Sequence, residues 1–187
     1  MAKQKRYLPK FDGTNFSELM LYISSRCEAD PTFGAVKLNK ILFYSDFYAY
    51  RTLGESITGA TYQKLPEGPA PREMLPERRR LIQSDRATLE PRPYFSGVQH
   101  RVVPSAKYNF QTIDEYISPQ QREVVEEVIS FFEGKTAREV SDYSHREPGW
   151  NLVDFREDIP YETAWLSTDP PEEDERNLAE DLASKDR

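Results

Sequence analysis

The 187 residues suit a single domain, of a size that buries roughly 70% of its unfolded surface. Only 37% of them are apolar and 30% are charged, so part of the chain is expected to be polar tail rather than core. A net charge of −7, one cysteine (Cys27) and no apolar run of membrane length argue against a basic phosphate-binding protein, a disulfide-stapled secreted fold and a transmembrane span, and a cytoplasmic location is expected.

Residues 1–15 read as a basic, Pro-containing arm. Asn15 or Ser17 is the expected cap of a first helix, whose apolar positions Phe16, Leu19, Met20, Ile23 and Cys27 follow a 3–4 spacing. A second helix is predicted over about 34–53, where Leu38, Ile41, Leu42, Phe43, Tyr44, Phe47 and Tyr50 cover most of the circumference. A helix apolar all round belongs in the middle of a domain. Residues 56–65 read as a turn into a short strand closed by Pro66, Gly68, Pro69 and Pro71, and a helix over about 72–85 follows.

Alternation over 87–92 and 97–103 predicts a hairpin turning at Phe95, Ser96 and Gly97. Ser118 and Pro119 mark a helix start, and Val124, Val125, Val128, Ile129 and Phe132 give its apolar stripe up to Gly134. Thr136 with Glu139 forms a capping-box pattern for the next helix, which is expected to stop at Pro148 and Gly149. Trp150, Leu152, Val153 and Phe155 make a short apolar segment before 159–166. Residues 169–187 carry eight acids against three bases and are expected to form a flexible acidic tail outside a domain at 16–168. The predicted class is α+β: a predominantly helical single domain with a small antiparallel β element in the middle third.

Specific chemical signatures are missing from the sequence. His100, His145 and Cys27 are too few and too scattered for a structural zinc site, and the eight glycines form no phosphate-cradling loop. No metal and no cofactor is expected. The best catalytic pattern is Asp142 three residues before His145, on one helix face, where a carboxylate could orient an imidazole. A histidine near a helix C-terminus has a simpler use in bonding the last carbonyls and complementing the dipole, and that reading is preferred.

The run Arg78, Arg79 and Arg80, with Arg72 and Arg86 nearby, is interleaved with Glu73, Glu77 and Asp85. It suits a solvated face or an acidic protein partner better than DNA. Of the 11 Tyr and 10 Phe, those in irregular or strand segments are the better interface candidates, because aromatics and arginine dominate interface energetics. The contact surface is therefore expected at Arg72, Arg79, Tyr94, Phe95, Arg101 and Tyr108, with Phe110 beside them.

Residues 37–47 (KLNKILFYSDF) resemble the KLNKLLYYADF signature of the Panacea (SocA-like) antitoxin domain family. Residues 56–71 (SITGATYQKLPEGPAP), 136–141 (TAREVS), 144–150 (SHREPGW) and 159–164 (IPYETA) are similar to further blocks of that family, in the same order. The resemblance spans about 34–166. It implies a non-catalytic antitoxin that neutralises a protein toxin encoded beside it by direct binding, in a simple or a higher-order complex, while charge and composition argue against a membrane partner and disfavour nucleic acid. Family members are paired with toxins of very different kinds, so the fold does not name the toxin.

Within those blocks Lys37, Asn39, Asp46, Gly59, Pro69, His145, Trp150 and Tyr161 are expected to be structural. Gly59 and Gly68 suit positive φ, and Trp150 is expected to fold back onto the core. The alternatives are a proteolytic adaptor that delivers the toxin to a protease, a DNA-binding autorepressor and, least favoured, an enzyme using His145 and Asp142.

Overall fold

The architecture is set by one helix that is apolar on nearly every side. In a computed structural model, which describes residues 9–94 and 97–166, α2 (Ala35–Leu53) runs through the centre. Leu38, Ile41, Leu42, Phe43, Phe47 and Ala49 are all buried on it. Gly54, at φ +84°, closes its C-terminus. Burying a large side chain such as Phe43 contributes about 1.5–3 kcal/mol.

Against α2 pack α1 (Gly13–Arg26), α4 (Pro119–Phe132) and α5 (Ala137–Ser144), while α3 (Met74–Gln83) leans on α1. Asp12, rather than Asn15 or Ser17, caps α1. Its Oδ1 accepts from the amides of Thr14 and Asn15, both at 2.9 Å, and Phe11 packs on the core one residue earlier. The expected caps of α4 and α5 are in place: Ser118 with Gln121 and Thr136 with Glu139 form reciprocal capping boxes. Pro148 does not end a helix. Instead α5 stops at Ser144, and Pro148 opens a further turn, α6 (Pro148–Leu152).

The fold is α+β, with its strands in the middle of the chain. Among the described residues the β structure is two separate two-stranded antiparallel sheets. β1 (Tyr62–Leu65) pairs with β2 (Gly68–Pro71) in the register Tyr62 with Pro71 and Leu65 with Gly68. The free edge of β1 is covered by the incoming C-terminal segment: Ile159 N–H donates to Tyr62 O, Arg156 N–H to Lys64 O, and Lys64 N–H to Glu157 O. Covering an edge in this way satisfies backbone groups that would otherwise template association.

β3 (Ala87–Tyr94) and β4 (Gly97–Pro104) form the longer hairpin, with Ala87 opposite Pro104. Pro91 and Pro93 are tolerated because β3 pairs on one side only. Two 3₁₀ turns, at Phe110–Glu115 and Tyr161–Trp165, complete the fold. The expected hairpin tip at Phe95 and Ser96, the arm up to Leu8 and the acidic tail lie outside the described residues.

Candidate functional site

Two kinds of place stand out: a set of buried polar side chains that lock the elements together, and an open aromatic cleft.

The locks come first, because most of the signature residues are there. Asp46, fully buried on α2, accepts four hydrogen bonds. Oδ1 takes the amides of Ile57 at 2.8 Å and Thr58 at 2.7 Å, and Oδ2 takes the hydroxyls of Thr58 at 2.5 Å and Tyr62 at 2.7 Å. Burial pushes the Asp46 carboxyl above its ordinary range, and these donors offset only part of that rise. Tyr161 stacks on Phe47 with ring centres 4.6 Å apart and donates its hydroxyl to Ala60 O at 2.8 Å.

Lys37 reaches Asp30 Oδ2 at 2.5 Å, Thr32 Oγ1 at 2.8 Å and Lys135 O at 2.8 Å. Its neighbour on the helix, Lys40, is equally buried, but its amine donates to Pro69 O at 2.9 Å with no carboxylate in contact. Burial lowers the pKa of Lys40 to about 7.

Gly59 and Gly68 both have positive φ, +66° and +93°. At Gly68 a Cβ would also strike Ser144 Oγ and the end of Lys40. Asn39 lies half-buried in a small cavity of about 250 Å³, beside Leu38, Gln63 and Ala70.

His145, at the C-cap of α5, bonds through Nε2 to Pro66 O at 2.9 Å rather than to its own helix. Its ring stacks on Trp150 at 4.4 Å. Trp150 in turn donates to Leu65 O at 3.2 Å and carries Lys64 Nζ over its face at 4.3 Å. Asp142 instead faces Arg138 at 3.8 Å. The imidazole nitrogen a general base would use is thus committed to a carbonyl. Among the described residues no three His, Cys, Asp or Glu side chains gather where they could hold a metal ion, and no helix is long and apolar enough to cross a membrane.

The cleft opens between α2, α4 and α5 and encloses about 360 Å³. Phe43, Tyr44, Phe47 and Phe132 form its floor, while Tyr48, Phe131 and Tyr143 form the walls. The wall rings stay open, at 39%, 46% and 37% exposure. Phe131 and Tyr143 meet at 5.1 Å, and Tyr44 and Tyr143 at 5.6 Å.

Set into this aromatic surface is Glu147, with Arg51 and Glu127 also on the lining. Burial pushes the Glu147 carboxyl up, with the Tyr44 hydroxyl and the field of Arg51 acting the other way. A cluster of exposed rings around a half-buried charge is the composition of an interface anchor rather than of a packed core.

The family model described as "Antitoxin SocA-like, Panacea domain" matches residues 38–151. The chain belongs to that family. No curated protein and no solved structure matches it. The Panacea match runs from α2 to α6 and therefore contains the Asp46, Lys40, His145 and Trp150 locks and nearly all of the cleft lining. Membership of an antitoxin family supports a toxin–antitoxin role and a non-enzymatic one.

Of the six residues expected to contact a partner, Arg101 and Tyr108 line one surface pocket together. Arg72 is held by Asp158 at 2.6 Å and by Arg156 O. Arg101 donates to the carbonyls of Glu28 and Asp30 and so ties β4 to the loop before α2. Tyr108 is half-buried against the core, and Phe110 is exposed with its ring 6.5 Å from that of Tyr22. Arg79 is exposed on α3. The Tyr94 side chain and Phe95 lie outside the described residues.

The pairing expected along α3 occurs only for Arg80 with Glu77, since Arg86 reaches across to Glu18. Sequence reasoning missed the cleft. Its available signal was Phe131, at the edge of the α4 stripe one turn after Val128, and Tyr143, to one side of Val140 on α5.

Proposed function

We propose that this chain is the antitoxin of a two-gene pair, and that it neutralises a protein toxin encoded beside it by direct binding through the aromatic cleft. The observation that carries the reading is the cleft itself: three large rings, Tyr48, Phe131 and Tyr143, left open together over a floor of packed ones, all within the Panacea match. Burying such rings on association supplies most of an interface's energy.

Arg72, Arg79, Tyr94, Phe95, Arg101 and Tyr108 stay in the proposed contact set in addition to the cleft residues. Arg72 and Arg101 also brace the fold through their hydrogen bonds. Neutralisation takes place in the cytoplasm and uses no cofactor, metal or nucleic acid.

The test is a growth rescue assay in cells that express the adjacent gene with or without this chain. The wild-type chain restores colony formation. A Phe131→Ala/Tyr143→Ala variant with unchanged circular dichroism and melting loses protection by at least about a hundredfold, as expected when two hot-spot rings of about 2 kcal/mol each are removed. Equal protection by the folded double variant would overturn the placement of the contact.

A further inference from the structure

We propose that the cleft between α2, α4 and α5 receives a guanidinium side chain, an arginine presented by the partner protein, with Glu147 as its counter-ion against the aromatic floor. This rests on the cleft being the contact surface, and it names what that surface recognises.

A carboxylate held among rings is costly unless a cation meets it. Among the described residues no cation pairs with Glu147: Arg51, on the same lining, acts on it only through its field. Glu127 adds a second negative charge, so the lining carries two acids against one base. The rings of Tyr44, Phe131 and Tyr143 on the same lining are electron-rich on their faces and attract a cation where water is displaced.

The chain already uses this chemistry on the adjoining wall, where Lys135 Nζ lies 4.4 Å over the ring of Phe131. The volume of about 360 Å³ is at the small end for ligand sites and suits one long side chain rather than a cofactor. Arginine fits better than lysine because its plane can stack on rings while its N–H groups fork onto a carboxylate. A neutral apolar side chain would fill the space and leave Glu147 without a counter-ion. An acidic one would be repelled.

The test needs no toxin. The purified chain is titrated at constant ionic strength with n-butylguanidinium chloride, and separately with n-butylurea as the uncharged counterpart, while aromatic resonances of the cleft are followed by NMR. Saturable shifts are expected at Tyr44, Phe131 and Tyr143 with the guanidinium. They should be at least about fivefold weaker with the urea and in E147Q, with E127Q giving a smaller loss; thermal melting checks that both variants are folded. Absence of saturation, equal binding of the urea, or full binding by folded E147Q each overturns the proposal. The two readings also fail separately. Guanidinium binding in a chain whose Phe131→Ala/Tyr143→Ala variant still protects cells would sink the contact surface and keep the cation site. The reverse pattern would sink the cation site alone.

Discussion

The hydroxyl of Tyr62 donates to Asp46 Oδ2 across 2.7 Å, and both residues are completely buried. This bond joins the first strand of the small sheet to the central helix, and the same carboxylate also fixes the Ile57 and Thr58 amides. The Asp46→Ala variant strands four donors in the core and should lose about 3–5 kcal/mol, read as a lower urea midpoint. Asp46→Asn keeps the shape but turns an amide NH2 toward donors, and should lose about 1–3 kcal/mol. A wild-type midpoint in the alanine variant would show that the carboxylate is not the lock.

Lys40 gives stability a pH dependence of defined sign. Its folded-state pKa is lowered to about 7 from 10.5, so between those values the unfolded chain binds one more proton than the folded one, and stability rises with pH. The groups facing the amine are Pro69 O, Ser144 and, through its field, Glu67. From pH 7 to pH 9 the wild type should gain about 2 kcal/mol relative to Lys40→Met. Below pH 7 the difference should be flat. Parallel pH curves for the two proteins would contradict this.

Gly59 and Gly54 separate backbone strain from contact. Both have positive φ, but a Cβ on Gly59 would lie 2.4 Å from Lys10 O, a backbone atom that cannot swing away, whereas nothing lies within 4 Å at Gly54. Gly54→Ala should cost about 1–2 kcal/mol. Gly59→Ala should cost at least about 2 kcal/mol more, because the N-terminal segment must shift or detach. Melting temperatures of the two variants provide the comparison.

Much of this fold could be read from residue pattern, and the exceptions share a cause. The central helix was legible because Leu38, Ile41, Leu42, Phe43 and Phe47 leave no polar face, and the Thr136–Glu139 box because its two partners are three residues apart. Asp12 was passed over as a cap because the apolar periodicity begins only at Phe16, although its side chain holds the first amides of the helix. β2 (Gly68–Pro71) reads as a turn, since Gly and Pro dominate it, and only its pairing with β1 makes it a strand.

The buried ammonium groups and Arg101 are satisfied by backbone carbonyls far away in sequence: Lys135 O for Lys37, Pro69 O for Lys40, and Glu28 O and Asp30 O for Arg101. No spacing rule encodes a partner of that kind. The cleft was hidden for a related reason. Phe131 lies at the edge of its helix's apolar stripe and Tyr143 off that of its own, but only tertiary packing places them 5.1 Å apart on a cleft that Glu147 also lines.

His145 separates a binding protein from an enzyme. With its Nε2 committed to Pro66 O and its ring stacked on Trp150, its removal should cost about 1 kcal/mol of stability. Protection by His145→Ala in the rescue assay should match wild type at a temperature where both are folded. Loss of protection in a fully folded His145→Ala protein would revive a catalytic role.

The central claim is that this Panacea domain acts by holding another protein on its aromatic cleft. The most direct measurement is isothermal titration of the purified chain with the purified product of the adjacent gene, using wild type and Phe131→Ala/Tyr143→Ala. A saturable complex with wild type, weakened at least about a hundredfold in the folded double variant, is the expected result. No heat of association with wild type, or identical affinity for both, would contradict the account.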